Sequence, residues 1–110
     1  MIKINFLKEN NFYKTVNITG HANHRSNDEE YDIVCAGVSS ITFGILNKLD
    51  KENIDGQLIV EDNLVIIETR SEEQTINIIL DTLLVQLQTM SQAYPKHIKI
   101  YIKEKERNDV

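Results

Sequence analysis

Residues 57–90 read QLIVEDNLVIIETRSEEQTINIILDTLLVQLQTM and contain both kinds of element from which the fold is built. Residues 57–61 and 64–69 are apolar and rich in β-branched side chains, which is typical of strands. Asp62 and Asn63 between them suit a two-residue hairpin turn. The stretch therefore predicts a β-hairpin that leads into a helix.

The helix after this hairpin has a predicted start and a predicted end. Ser71 and Gln74 have the spacing of a capping box, with Ser71 as the N-cap and Gln74 at the third helical position. Pro95 blocks continuation of the helix. Apolar residues recur at helical spacing over a wide arc, which indicates a deeply packed helix or one that contributes to a dimer. The residues of this arc are Ile76, Ile79, Leu80, Leu83, Leu84, Leu87 and Met90.

Three more segments are predicted strands. Residues 1–8 alternate apolar and polar side chains, and residues 12–19 form a second strand. Residues 9–11, Glu-Asn-Asn, join the two as a turn because Asn tolerates the left-handed backbone region. Residues 98–103 alternate Ile with Lys or Tyr in a last strand, and residues 104–110 are predicted to be a frayed tail.

A polar segment separates the first hairpin from another helix. Residues 20–31 are rich in Asn, His, Asp and Glu, which predicts a long loop that is either an ordered functional element or disordered. Asp32 is the predicted N-cap of the helix, which extends to about Leu49. One apolar stripe is predicted to be buried. It consists of Val34, Val38, Ile41 and Ile45.

The order of elements is ββαββαβ within one domain, residues 1–110. Both helices are apolar on one side, so we expect them to cover one face of a mostly antiparallel sheet. The predicted fold class is therefore α+β, a two-layer sandwich.

Composition narrows the possible functions. The chain has 110 residues and a net charge of −5, which argues against direct nucleic-acid binding because such binding requires a basic face. The single cysteine excludes an internal disulfide and fits the reducing cytoplasm. The N-terminus does not resemble a signal peptide, and the longest apolar run, residues 64–67, is too short to span a membrane. The scattered glycines exclude a phosphate-binding loop.

Cys35 and His21 are the residues from which chemistry is predicted. If Asp32 is the N-cap, Cys35 lies in the first helical turn, where free backbone N–H groups and the helix dipole favour a thiolate. The amides of Cys35 and Ala36 would then be available to stabilise an oxyanion. His21 begins the loop that ends at this helix and is the candidate base. A buried structural thiol and a surface histidine are the competing interpretations.

Other polar residues of this region have open roles. His24 competes with His21 as the base, and Asp32 either orients the histidine or only caps the helix. Zinc held by His21, His24, Cys35 and an acidic residue is an alternative to the expectation of no metal and no cofactor. His97 is expected to be exposed. The acidic residues 28–30 are expected to be solvated or to meet a basic peptide.

Two motifs together resemble a known family. Gly20-His21-Ala22, followed by a loop and then Asp32-Ile33-Val34-Cys35-Ala36, is similar to the ribosomal-processing cysteine proteases of the Prp family, the YsxB-like proteins. The resemblance covers the length and the order of elements. Two glycines common in the family's loop are replaced here, one of them by Asn23.

The resemblance implies a cytoplasmic, homodimeric cysteine endopeptidase with Cys35 as the nucleophile and His21 as the base. Its substrate would be the N-terminal extension of large-subunit ribosomal protein number twenty-seven. Residues of the loop that would face this substrate are Ala22, Asn23, His24 and Tyr31. The alternative is a non-enzymatic, ribosome-associated protein-binding module with a structural thiol.

Overall fold

The computed structural model of the chain describes residues 1–20 and 28–106. Its elements follow the predicted order ββαββαβ and confirm the α+β class. In chain order they are β1 (Ile2–Glu9), β2 (Phe12–Thr19), α1 (Glu29–Lys51), β3 (Gly56–Glu61), β4 (Leu64–Thr69), α2 (Gln74–Ala93) and β5 (Ile98–Lys105).

The five strands form one mixed sheet in the order β3-β4-β2-β1-β5. Strands β1 and β5 pair in parallel, whereas the other three pairs are antiparallel. The register places Ile4 opposite Ile18 and Phe6 opposite Val16, and all four are buried. The core of the protein therefore lies on this one face of the sheet, together with the buried residues of both helices.

Both predicted hairpin turns are present, and asparagine makes them possible. Asn10 and Asn11 have φ values of 55° and 68°, and Asn63 has a φ of 61°. Asn adopts this left-handed region more readily than most residues, so the turns close without glycine.

Helix α1 differs from its prediction at both its start and its buried face. It begins at Glu29, so the segment before it is shorter than the predicted loop. Of the predicted stripe, Val34 and Val38 are fully buried, whereas Ile41 and Ile45 are only partly buried. The buried face of the helix continues through other residues. These are Tyr31, Cys35, Thr42, Leu46 and Leu49.

Helix α2 packs against α1 through a close approach at Gly37. A Cβ atom at Gly37 would lie 2.7 Å from Cε of Met90. Among the described helices, α1 has the length and the apolar content that would suffice to cross a membrane. Core helices of soluble proteins share those properties, and the apolar residues of α1 contribute to the core of this fold.

Two predicted details at the ends of elements are wrong. The N-cap of α2 is Glu73, which makes no side-chain capping bond, while Oγ of Ser71 accepts from the N–H of Glu73 at 3.1 Å. Ser71 therefore forms a local turn ahead of the helix and not a capping box. Strand β5 extends to Lys105 because its parallel pairing with β1 continues to Glu9.

Candidate active site

Cys35 lies in the second turn of α1, and this corrects the prediction that it lies in the first. The N-cap is Asp28, whose carboxylate accepts from the backbone N–H groups of Glu30 and Tyr31 at 3.0 and 3.2 Å. Asp32 is therefore a helical residue and not the cap. The helix starts one turn earlier than predicted, and Cys35 is its seventh residue.

This position removes the predicted oxyanion donors. Inside an α-helix each backbone N–H donates to the carbonyl four residues earlier, so the amides of Cys35 and Ala36 belong to the helical pattern. The dipole effect also falls off within the first turn. Neither the free N–H groups nor the dipole of the helix N-terminus therefore acts strongly on the Cys35 thiol.

The thiol of Cys35 is fully buried at 0% exposure. Burial raises the pKa of this thiol above its ordinary value of 9.0, and the charge of Asp32 raises it further. The nearby Tyr31 hydroxyl and the charge of the Met1 amino group act in the opposite direction but do not cancel the effect of burial on the pKa. In this state Cys35 is a protonated thiol, contrary to the expectation of a lowered pKa.

The backbone carbonyl of Gly20 lies against this thiol, with Sγ of Cys35 3.9 Å from the carbonyl oxygen. The same oxygen accepts from Oη of Tyr31 at 2.8 Å. Gly20 has a φ of +87°, and a Cβ atom there would lie 2.5 Å from the carbonyl oxygen of Met1. Only glycine fits this position, which explains the first residue of the Gly20-His21-Ala22 motif.

The remaining residues of that motif lie outside the described residues, as do Asn23 and His24. The structure does place the residue before His21 against the thiol, through the 3.9 Å contact of the Gly20 carbonyl. Gly20 and Cys35 therefore meet in space, although they lie 15 positions apart in the sequence.

Tyr31 was predicted in the substrate loop, but it lies in the first turn of α1 and is only 8% exposed. Its ring also meets the ring of His97 edge to face, with centroids 5.5 Å apart. Burial, followed by the neighbouring Cys35 and Asp32, raises the pKa of the Tyr31 hydroxyl. Tyr31 is thus a fixed, protonated hydroxyl beside the thiol.

Asp32 has one buried carboxylate oxygen, Oδ1, without a hydrogen-bond partner among the described residues. A buried acceptor of this kind is costly and is normally paired. Because Asp28 caps the helix, the capping role that the sequence favoured for Asp32 is wrong.

A polar cluster missed by sequence reasoning lies at the start of α1. Nε2 of His97 is 2.8 Å from Oε2 of Glu30 and 3.7 Å from Oδ2 of Asp28, and the His97 side chain is 13% exposed. His97 was predicted to be exposed, but these contacts tie the start of β5 to the start of α1. The three groups lie within 4.8 Å of one another and could hold a metal ion. They differ from the predicted zinc set of His21, His24 and Cys35.

Comparisons with known proteins give matches over most of the chain. The family model described as cysteine protease Prp matches residues 1–99. Two curated proteins named ribosomal processing cysteine protease Prp, from two strains of Staphylococcus aureus, are 35% identical to this chain over 92 residues. The match covers 76% of this chain and 81% of each relative.

Solved structures show the same architecture. The essential ribosomal processing protease Prp from S. aureus, in complex with a substrate peptide, has a TM-score of 0.82 at 27% identity and covers 94% of this chain and 100% of its own. The same protease with a covalently linked product peptide has a TM-score of 0.80 at 28% identity and the same coverage. SMU.848 from Streptococcus mutans has a TM-score of 0.81 at 22% identity, covers 96% of each chain, and shares the fold.

Proposed function

This chain belongs to the family of the cysteine protease Prp and is itself a cysteine protease, and we propose that it is a ribosomal-processing endopeptidase. Its substrate in this proposal is the N-terminal extension of large-subunit ribosomal protein number twenty-seven. The names of the S. aureus relatives support ribosomal processing, and their complexes with substrate and product peptides support an endopeptidase. Family membership sets aside the alternative of a non-enzymatic binding module.

Cys35 is the proposed nucleophile, and one observation carries this assignment. A cysteine protease needs a thiol that attacks the peptide carbonyl. The sequence contains one cysteine, and its sulfur lies 3.9 Å from the carbonyl of the residue that precedes His21. A covalently linked product peptide in the S. aureus relative is the kind of species that such a nucleophile forms.

His21 is the proposed base, and Asp32 is the proposed group that orients it. The base takes the proton from Sγ, and the thiolate then forms a bond to the scissile carbonyl carbon. The protonated imidazole returns the proton to the leaving amine, and water hydrolyses the thioester. Asp32 suits the orienting role because its buried Oδ1 has no partner among the described residues and its capping role is absent.

Ala22, Asn23 and His24 are proposed to contact the substrate, together with the face of α1 near Tyr31. The net charge of −5 and the acidic first turn of α1 suit a basic ribosomal protein as the substrate. The same charge disfavours direct binding of nucleic acid. We further propose that the protein is a cytoplasmic homodimer that uses neither a membrane segment nor a cofactor. Ile78 and Val85 are exposed on α2 and offer apolar surface for a second copy.

The decisive experiment uses a synthetic peptide that carries the extension of ribosomal protein twenty-seven from the same genome. The unmodified chain should cut it at one position, as identified by mass spectrometry, while Cys35→Ser and His21→Ala should not. Ser40→Ala, an exposed change on the same helix, is the matched control and should cut normally. Cleavage by folded Cys35→Ser would overturn the assignment of the nucleophile. Loss of cleavage in His24→Ala together with activity in His21→Ala would transfer the role of base to His24.

A further inference from the structure

Tyr31 and Cys35 share one acceptor. They lie four residues apart on α1, so their side chains project from the same face of the helix. Oη of Tyr31 donates to the carbonyl of Gly20 at 2.8 Å, and Sγ of Cys35 lies 3.9 Å from the same oxygen. The hydroxyl bond is short and strong, whereas the thiol bond is long and weak.

This arrangement suits the thiol but not the thiolate. A thiolate has no proton to donate, and it would face the lone pairs of the Gly20 carbonyl in a buried site. An unpaired buried charge is costly, so the ionised sulfur needs a donor. The Tyr31 hydroxyl, which shares the Gly20 acceptor with the thiol, is the neighbouring donor, and its proximity lowers the pKa of Cys35 against the effect of burial.

The ring of Tyr31 is held in place while its O–H bond stays free to rotate. The backbone N–H of Tyr31 donates to the capping carboxylate of Asp28, and the ring packs against His97. Other charges around the pair are Asp32, on the same helix, and the amino group of Met1, which lies 3.4 Å from Oη. Burial raises the pKa of the Tyr31 hydroxyl above its ordinary value of 10.0, so the hydroxyl carries its proton near neutral pH.

We propose that Tyr31 is a positioning residue for Cys35. The Tyr31 hydroxyl donates to the Gly20 carbonyl while the Cys35 thiol is protonated, and it turns to donate to the sulfur once the thiol is ionised. This inference rests on the proposed role of Cys35 as the nucleophile. The S–H bond breaks, the proton moves to His21, and Tyr31 exchanges one acceptor for another without losing its own proton. The cost of ionising a buried thiol is thereby reduced by a donor already in place.

Tyr31→Phe tests this role because it keeps the ring and removes only the hydroxyl. The rate at which iodoacetamide alkylates Cys35 is measured against pH. We expect the midpoint to move upward by about one unit, so that alkylation near neutral pH falls about tenfold. Cleavage of the extension peptide should lose kcat more than it changes KM, since the donor acts on the reacting sulfur and not on substrate binding. An unchanged alkylation profile in folded Tyr31→Phe would overturn the inference.

Tyr13→Phe is the matched control. Oη of Tyr13 donates to Asp81 at 2.5 Å, so this change also removes a hydrogen-bonded hydroxyl from a mostly buried tyrosine. Tyr13→Phe should lower the stability of the fold and leave the pH profile of Cys35 alkylation unchanged. A shift equal to that of Tyr31→Phe would mean that loss of stability, and not loss of the donor, causes the change.

A second measurement keeps the test valid if Tyr31→Phe fails to fold. In the full chain, 3-fluorotyrosine at position 31 preserves the shape and makes the hydroxyl a stronger donor, so alkylation near neutral pH should become faster. An unchanged rate would refute the role of Tyr31. These outcomes are separate from the proposed function, which fails if Cys35→Ser still cleaves the peptide, whatever the alkylation of Tyr31 variants shows.

Discussion

Gly20→Ala should destabilise the fold strongly, because the backbone at this position suits glycine alone. Its φ of +87° lies in the left-handed region, where a residue with a Cβ loses about 1–2 kcal/mol. The new Cβ would also lie 2.5 Å from the backbone oxygen of Met1, and backbone yields less easily than a side chain. Relief of such overpacking costs about 1–3 kcal/mol.

Together the two effects lower the free energy of unfolding by about 2–5 kcal/mol. With a urea dependence of about 1.5 kcal/mol/M for a small domain, the midpoint of urea unfolding should fall by about 2 M. Circular dichroism against urea concentration measures this shift. A loss of about 3 kcal/mol is about half or less of the stability of a typical domain, so the variant should still fold at low temperature.

Gly44→Ala is the matched control with the opposite expected sign. Gly44 lies inside α1 and is exposed, and nothing outside its own stretch of helix lies within 4 Å of the position that a Cβ atom would take. Alanine is the better helix former, so stability should rise by about 0.5–1 kcal/mol. The reasoning is refuted if Gly20→Ala unfolds at the same urea concentration as the unmodified chain, or if both changes destabilise equally.

Three further predictions concern titration and packing. Burial raises the pKa of the Cys35 thiol, so the unfolded state releases this proton at a lower pH than the folded state does. The free energy of unfolding should therefore fall from about pH 8 upward. Urea titrations at each pH should show a shallower fall for Cys35→Ala. Tyr13→Phe removes the hydrogen bond to Asp81 and should cost about 1 kcal/mol by the same assay, and no loss would mean that the bond is absent in solution. Leu83→Ala in the fully buried face of α2 should cost about 2–5 kcal/mol. Gln86→Ala, an exposed change on the same helix, should alter stability by less than about 0.5 kcal/mol.

The strands and hairpins were predictable because their signals are local. Alternation along residues 1–8 marks the buried face directly, and the asparagines of the two turns adopt the left-handed conformation that closes them. Neither inference needed knowledge of a distant contact. The parallel pairing of β5 with β1 depends on residues almost the whole chain apart, and this pairing carries β5 beyond its predicted end.

The start of α1 was mispredicted although a local signal for it was present. Asp28 followed by Glu29 and Glu30 is a typical helix start, with a capping carboxylate and acidic residues in the first turn. The apolar pattern that begins after Asp32 favoured the later start. The contact between Glu30 and His97 stabilises the earlier one, and it joins residues 67 positions apart. Such a contact cannot be seen in the periodicity of the helix.

This shift of one turn changes the source of the reactivity of Cys35. The sequence located the thiol and the glycine that meets it, but it attributed ionisation to the helix N-terminus, whose influence fades beyond the first turn. In the second turn the thiol is buried, its pKa is raised, and the carbonyl it faces offers no proton. The proposed mechanism assigns ionisation to individual partners, namely a base that removes the proton and a hydroxyl that donates to the sulfur. In the proposed mechanism the reactivity of Cys35 is therefore a property of its individual partners, and α1 supplies the spacing between Cys35 and Tyr31.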